Sequence, residues 1–537
     1  MLFYTAASQF ALPDEAADHS GAVSVSAACG FSKLDPVPDS GAAGLSPMGY
    51  FLDRTTNLAP AAEDKILHLA TRMARIVQDR APGIGVPAIQ ADIARFLFND
   101  TCAPVLRAAP PDGQSGIGPL PRPFVEASLS NLRCRPVALE SVYGGARLQG
   151  SLAWRLRDVL TDPDDPRKLR VGKRGRARDL LRLRDILSSG PRGTFDDLAR
   201  FIPPELGPMF FDEAGQPLKA VAVVADQRHA ADMRLSRILL AVIDAHNSQA
   251  ERAGSEVAQD DPLKGFGIAQ SAVVRGYRRM LRDEFLPAVA DPITIEETQL
   301  LGARVYRQFK TALKGSARPG VPTALEVVFA ILPVIQLLSV DAGAQCLADH
   351  LRKSSVCKTS DPLGFQDGPA LTSVSGGTVS DILGGALAGS APHDNSVTVN
   401  PERQALRDFI RHHIALGQRL NLPSAEDCIN ALQLLNHHVK PPEYDTQMRK
   451  FGLDKLVQAE TPLFVYLWVE AQVVGKGRKL GPLGSKLLAE HLIGQLADTE
   501  DALTGAGADN PFDDAALAST VTVDALTLAT GRARDAG

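Results

Sequence analysis

Histidine is the side chain that most often moves protons or binds metals near neutral pH. Two adjacent pairs, His412-His413 and His437-His438, are its densest occurrence in this chain. Neighbours on a helix point about 100° apart, so one pair makes no clamp, whereas two pairs on facing helices could. His246 falls on an apolar helical stripe and reads as a satisfied core histidine rather than a ligand, and Met233 likewise reads as core. A basic run follows residue 166: Arg167, Lys168, Arg170, Lys173, Arg174, Arg176, Arg178, Arg182 and Arg184. Such a cluster over 167–184 could hold nucleic acid or another polyanion. It lacks interleaved aromatic rings, and Asp179 and Asp185 dilute it, so it is read as a solvated loop. Gly376-Gly377 and Gly384-Gly385 lack the Lys-Ser/Thr ending of a phosphate loop, and no Gly-x-Ser-x-Gly elbow occurs.

The elements that must position these groups belong to a chain of 537 residues, 45% apolar and 22% charged, which can bury a large core without staples. A net charge of −5 names no partner. The six cysteines (Cys29, Cys102, Cys134, Cys346, Cys357, Cys428) lie far apart with no C-x-x-C pair, which argues against a zinc ribbon and a disulfide scaffold. A reducing cytoplasm is the expected compartment. No secretory signal is read at Met1-Leu2-Phe3-Tyr4-Thr5, and no apolar run approaches the ~20 residues of a membrane span.

Hydrophobic periodicity predicts a mainly α protein. Ile66, Leu67, Ala70, Met73 and Val77 share one face of a helix over 63–79, and 91–99 is a second, short helix. The clearest runs from Met233 to Ala250, with Leu235, Ile238, Leu239, Val242 and His246 on one stripe. Helices are also expected over 268–287, 296–314, 402–420, 424–438, 463–474 and 484–496. Residues 322–340 are apolar nearly all round, which marks a buried helix, and Pro333 should kink it or end its first segment. Residues 1–45 read as a loosely structured arm, 46–499 as one helical domain with an irregular insertion at 354–400, and 500–537 as a mobile tail.

Several short motifs then stand in a telling order. Leu139-Glu140-Ser141-Val142-Tyr143-Gly144 has Asn131 and Arg133 upstream. Asp226-Gln227-Arg228 is followed by a helix reaching His246-Asn247, and then by Arg282-Asp283-Glu284-Phe285-Leu286-Pro287. Near the end come Asn421-Leu422-Pro423-Ser424, Thr461-Pro462-Leu463-Phe464 and Leu480-Gly481-Pro482-Leu483-Gly484. Over roughly residues 60–496 this order resembles the animal-type haem peroxidases, in particular their bacterial branch. The resemblance implies a helical haem-peroxidase-like fold with long irregular loops.

It also implies where the chemistry should be, and there the chain departs. The family's distal histidine aligns with Asn99, preceded by Phe98 where an aspartate is usual. An amide cannot take a proton from peroxide and return it. The proximal histidine aligns with Pro333 or Val334, neither of which offers iron a lone pair, and His350 lies several turns away. The arginines near the haem propionates are replaced by Leu416 and Gln418, with Arg419 one residue off. Arg228 keeps the place of the distal arginine that polarises the O–O bond; its alternative use is an ion pair with Asp226 or Asp232. Asp100 matches a calcium-binding aspartate, with Asp162, Asp164 and Asp165 in the region of the partner loop, but is read first as a surface aspartate.

The expectation is therefore a haem-free, degenerate member that binds, scaffolds or regulates, with no catalytic and no cofactor residues. Its partner would be a protein or an apolar small ligand seated against Phe98, Leu332, Val334 and Leu416. One alternative is a haem-dependent oxidoreductase with non-standard iron ligation or a metal at the paired histidines. Another is a polyanion-binding module acting through 167–184.

Overall fold

In the computed structural model, residues 46–52, 63–106, 118–131, 133, 135–144, 160–174, 177–187, 221–230, 233–252, 262–314, 321–343, 400–434, 444–454, 461–504 and 521–529 are described. The expected arm at 1–45, the insertion at 354–400 (Asn400 apart) and the His437-His438 pair lie outside them. The described chain is mainly helical. The helices used below are α1 (Glu63–Gln78), α2 (Ala88–Thr101), α3 (Glu140–Tyr143), α4 (Gln227–Ala230), α5 (Met233–Arg252), α6 (Pro262–Met280), α7 (Pro292–Leu301) and α8 (Arg304–Lys314). They continue with α9 (Leu332–Leu338), α10 (Pro401–Arg419), α11 (Leu463–Val473), α12 (Pro482–Thr504) and α13 (Val523–Ala529).

The apolar stripes predict the packing. The Leu235–His246 stripe buries α5 against α6, and α1 lies along α10. The segment expected to be buried all round is so: Val327–Ile331 forms a π-turn, and Leu332–Leu338 follows as α9 with Pro333 in its first turn. The helix is continuous through this junction, with Leu332 N still donating to Val327 O, so Pro333, which has no N–H to give, falls where the π-turn hands over to α9. Helix α9 packs on α2, and α11, buried from Leu463 to Ala471, lies against the π-turn.

Three expectations are corrected. The run 296–314 is two helices, because Gly302 (φ +71°) and Ala303 (φ +48°) adopt left-handed backbone and turn the chain. Met233, read as core, is 36% exposed at the start of α5. The tail beyond 500 is not uniformly mobile: α12 reaches Thr504, and α13 packs on α5 and α2, burying Val521 and Leu526.

Strands too short to show alternation form a four-stranded sheet in the order β2 (Pro104–Leu106), β3 (Leu129–Asn131), β1 (Ser46–Gly49) and β6 (Thr323–Ala324). β1 runs antiparallel to β3 (Ser46 opposite Asn131) and parallel to β6 (Met48 opposite Thr323). Directly after β6, the buried Glu326 carboxylate accepts from Phe51 N (2.8 Å) and Leu52 N (3.2 Å), tying the β1 segment to the core. The basic segment is not a loop throughout: β4 (Gly172–Arg174) and β5 (Ala177–Asp179) pair as an antiparallel hairpin.

Candidate functional site

The motif residues meet at the C-terminal end of α2. A helix leaves its last carbonyls without intrahelical partners, and that end carries partial negative charge. Two guanidinia meet it here. Arg133 donates to Asn99 O through Nε (3.1 Å) and Nη2 (3.0 Å). Arg228, on α4, donates through Nη2 to Asn99 O (2.8 Å) and through Nη1 to Cys102 O (3.0 Å). Both arginines also hold the buried Asp226 carboxylate: Arg228 Nη2 at 2.6 Å and Nε at 3.0 Å, and Arg133 through Nη2. Burial pushes that carboxyl up, but Arg228 and Arg133 together outweigh it and hold it below the usual range. Of the two ion pairs the sequence offered Arg228, the one with Asp226 is formed; Asp232 lies outside the described residues.

The other frame residues are fasteners of the same kind. Asn131 accepts from Ala103 N (2.9 Å) and Arg133 N (3.0 Å) and donates to Thr101 O (2.7 Å). Asp100 is completely buried, which corrects its reading as a surface aspartate. It accepts from Leu139 N (3.1 Å), Ser141 N (3.2 Å) and Ser141 Oγ (3.0 Å), so it caps the N-terminus of α3 from outside. Burial raises its pKa against the opposing pull of Arg133 and these donors. Among the described residues, no group of three or more His, Cys, Asp or Glu stands where it could hold a metal ion.

His246 is the satisfied core histidine that its stripe predicts. Its Nε2 lies 3.0 Å from Arg167 O, and Tyr143 Oη lies 3.2 Å from its Nδ1. Beside it Asn247 clamps Leu169, accepting from its N (2.7 Å) and donating to its O (2.9 Å). The basic segment is thereby bound to α5, and several of its cations meet carboxylates. Arg167 pairs with Asp165 (2.7 Å), Lys168 with Glu251 (2.9 Å) and Arg182 with Asp179 (2.8 Å), while Arg178 pairs with Asp244.

Asn99, which the resemblance aligned with the distal histidine, is buried, and so are Pro333 and Val334, which it aligned with the proximal one. The flanking rings of Phe98 and Phe329 meet edge to face with centroids 6.3 Å apart. Leu416 and Gln418 are buried on α10, while Arg419 turns to the 118–120 backbone, donating to Gly118 O (2.8 Å). His412 and His413 are half-buried, and the His413 ring stacks on Phe464.

Sequence reasoning missed His229. It is fully buried on α4, stacked on Phe96 with centroids 4.3 Å apart, and its Nδ1 lies 3.5 Å from Asn99 Nδ2. Among the described residues its Nε2 has no hydrogen-bond partner. Burial lowers its pKa to about 3, so the ring is neutral. The available signal was its place directly after Arg228 in a segment already matched to the distal side.

No family model matches the chain, and no curated protein does. Among solved structures it is similar to peroxidase A from Dictyostelium discoideum, with a TM-score of 0.45 and 10% sequence identity over 91% of this chain and 94% of that one. Among the described residues no helix is long and apolar enough to cross a membrane.

Proposed function

We propose that the chain is a haem-free, peroxidase-like helical protein that acts by binding, scaffolding or regulating rather than by peroxide chemistry. The observation that carries this reading is the use made of Arg228. An arginine that polarises a bound peroxide must aim donors at it, whereas here they go to Asp226, Asn99 O and Cys102 O. The residues at the two aligned positions do not fit a histidine-ligated haem. Asn99 cannot shuttle a proton at neutral pH, and Pro333 and Val334 have no lone pair for iron. The contact between Phe98 and Phe329 supports a filled wall, since a void there would cost stability.

The test is an absorption titration of purified protein with haem. The expected result is a broad, non-saturating band from loosely adsorbed pigment. A stoichiometric Soret band with an assignable axial ligand overturns the reading.

One observation favours the haem-dependent alternative, and it is His229. Its neutral imidazole stands beside Asn99 with Nε2 unengaged. Turning the Asn99 amide would let its oxygen accept from Nδ1–H and leave the Nε2 lone pair free for iron. On this reading the Soret band forms and is lost in His229→Ala. The polyanion reading is disfavoured by the carboxylates that meet Arg167, Lys168, Arg178 and Arg182. A salt-dependent nucleic-acid shift in gel electrophoresis would restore it.

A further inference from the structure

Helices α7 and α8 both rest on α12. Ile295 and Thr298 are the buried positions of α7, and Val305, Tyr306 and Phe309 those of α8. The contact is close: a Cβ added to Gly494 of α12 would fall 2.2 Å from the Tyr306 ring. The faces turned away from α12 therefore belong to one surface, and each follows the i, i+3, i+4, i+7 rule. On α7 the set is Ile293, Glu296, Glu297 and Leu300; on α8 it is Arg304, Arg307, Gln308 and Thr311.

Two features of this surface need explaining. Ile293 is 76% and Leu300 84% exposed, the two most exposed large apolar side chains among the described residues, with Leu528 at 72% on α13. The charges are also segregated. Glu297 leans towards Lys486 at 3.7 Å, but among the described residues Glu296 on α7, and Arg304 and Arg307 on α8, pair with no opposite charge. Arg304, Arg307, Gln308, Thr311 and Ala312 form one exposed face of α8.

We infer that this surface docks a second copy of the chain. The order along it is acidic and apolar on α7, then basic on α8. A two-fold axis near the Gly302 turn lays α7 of each copy on α8 of the other. Leu300 then lies on the exposed face of α8, against Gln308, Thr311 and Ala312, and Glu296 faces Arg304 and Arg307, twice over. Such an isologous contact needs a surface complementary to itself, which the antisymmetric charge order provides. An anionic membrane fits less well, because Glu296 and Glu297 flank the exposed leucine and isoleucine. Helices of ~10 residues are ~15 Å long. Their joint face falls well below the ~800 Å² per partner of a standard interface, so the expected dimer is a weak one.

Sedimentation velocity of the full chain from about 1 to about 300 μM tests this. The expected result is a monomer–dimer equilibrium that weakens with salt. Leu300→Asp should abolish it, and Glu296→Arg or Arg304→Glu should each weaken it at least ~10-fold, as like charges then meet. Glu296→Arg with Arg304→Glu in one chain restores opposite charges across the axis and should recover the dimer. All three positions are exposed, and unchanged circular dichroism confirms folding. A monomer throughout the range overturns the inference, as does association indifferent to Leu300→Asp or a double reversal no better than the singles.

Discussion

Arg228→Gln removes a cation from a buried arrangement that has no spare partner for what it leaves behind. Cys102 O loses its guanidinium donor, Asn99 O keeps only Arg133, and Asp226 retains a single cation. Hydrogen bonds to a charged group contribute ~1.5–3 kcal/mol each, and an orphaned buried acceptor costs ~1–3 kcal/mol. These losses overlap, so the range for breaking one side of a buried ion pair, ~3–5 kcal/mol, is the expected destabilisation. The assay is equilibrium unfolding in guanidinium chloride, with a lowered midpoint at unchanged slope. A second signature is the acid limb. Asp226 has a depressed pKa, so its contribution is complete above the unfolded value of about 3.8 and is lost as pH falls through the folded one. Without Arg228, the stronger of its two opposing cations, the onset of acid unfolding moves to higher pH. A variant within ~0.5 kcal/mol of the parent, with the acid limb unmoved, refutes the fastening role and returns Arg228 to the candidates for ligand chemistry.

Other consequences follow from the same interactions. Burial raises Glu326 and Glu470 from 4.5 to about 7, so the folded state takes up protons before the unfolded chain does. Stability should therefore rise as pH falls from 8 towards 5, by up to about 3 kcal/mol for each carboxyl at about 1.4 kcal/mol per pH unit, and Glu326→Gln should flatten the thermal-melting profile. Asn247→Ala frees both backbone groups of Leu169 and should cost ~1–3 kcal/mol, with faster limited proteolysis within 160–174. Asp100→Ala removes the cap of α3 and should cost at least ~1 kcal/mol, and millimolar calcium should leave the melting temperature of the parent unchanged; a calcium-dependent rise lost in the variant would point to an ion at Asp100 instead.

The helices were legible because their signal is local. The stripe from Leu235 to His246 and the all-apolar run around Pro333 specify burial within one element. The places where the reading failed have non-local or very short causes. The sheet strands are two to four residues long, too short for alternation to register. The α13 segment looks like tail composition and becomes ordered only because Val521 and Leu526 find α5 and α2. His229 has a neighbour 130 positions away in Asn99, and nothing within a local window announces it.

The candidate site was legible in a more particular sense. Asn131, Arg133, Asp226, Arg228 and Asn247 were recognised as landmarks; four of them satisfy backbone groups at the end of α2 or at Leu169, and Asp226 accepts from Arg228 N and holds both guanidinia. Such residues are needed whatever fills the centre of the bundle, since a buried unpaired carbonyl is costly in any member of a fold. Among the described residues, Pro333, Val334 and Leu416 have no polar side-chain atom to offer backbone, and the Asn99 amide faces His229. They are the positions that the resemblance in sequence aligned with peroxide chemistry, and none holds the residue type that it implies. A motif alignment therefore reports on the frame and on the chemistry separately. Arg228 is the residue to which the resemblance gave both meanings, and its donors go to Asp226, Asn99 O and Cys102 O.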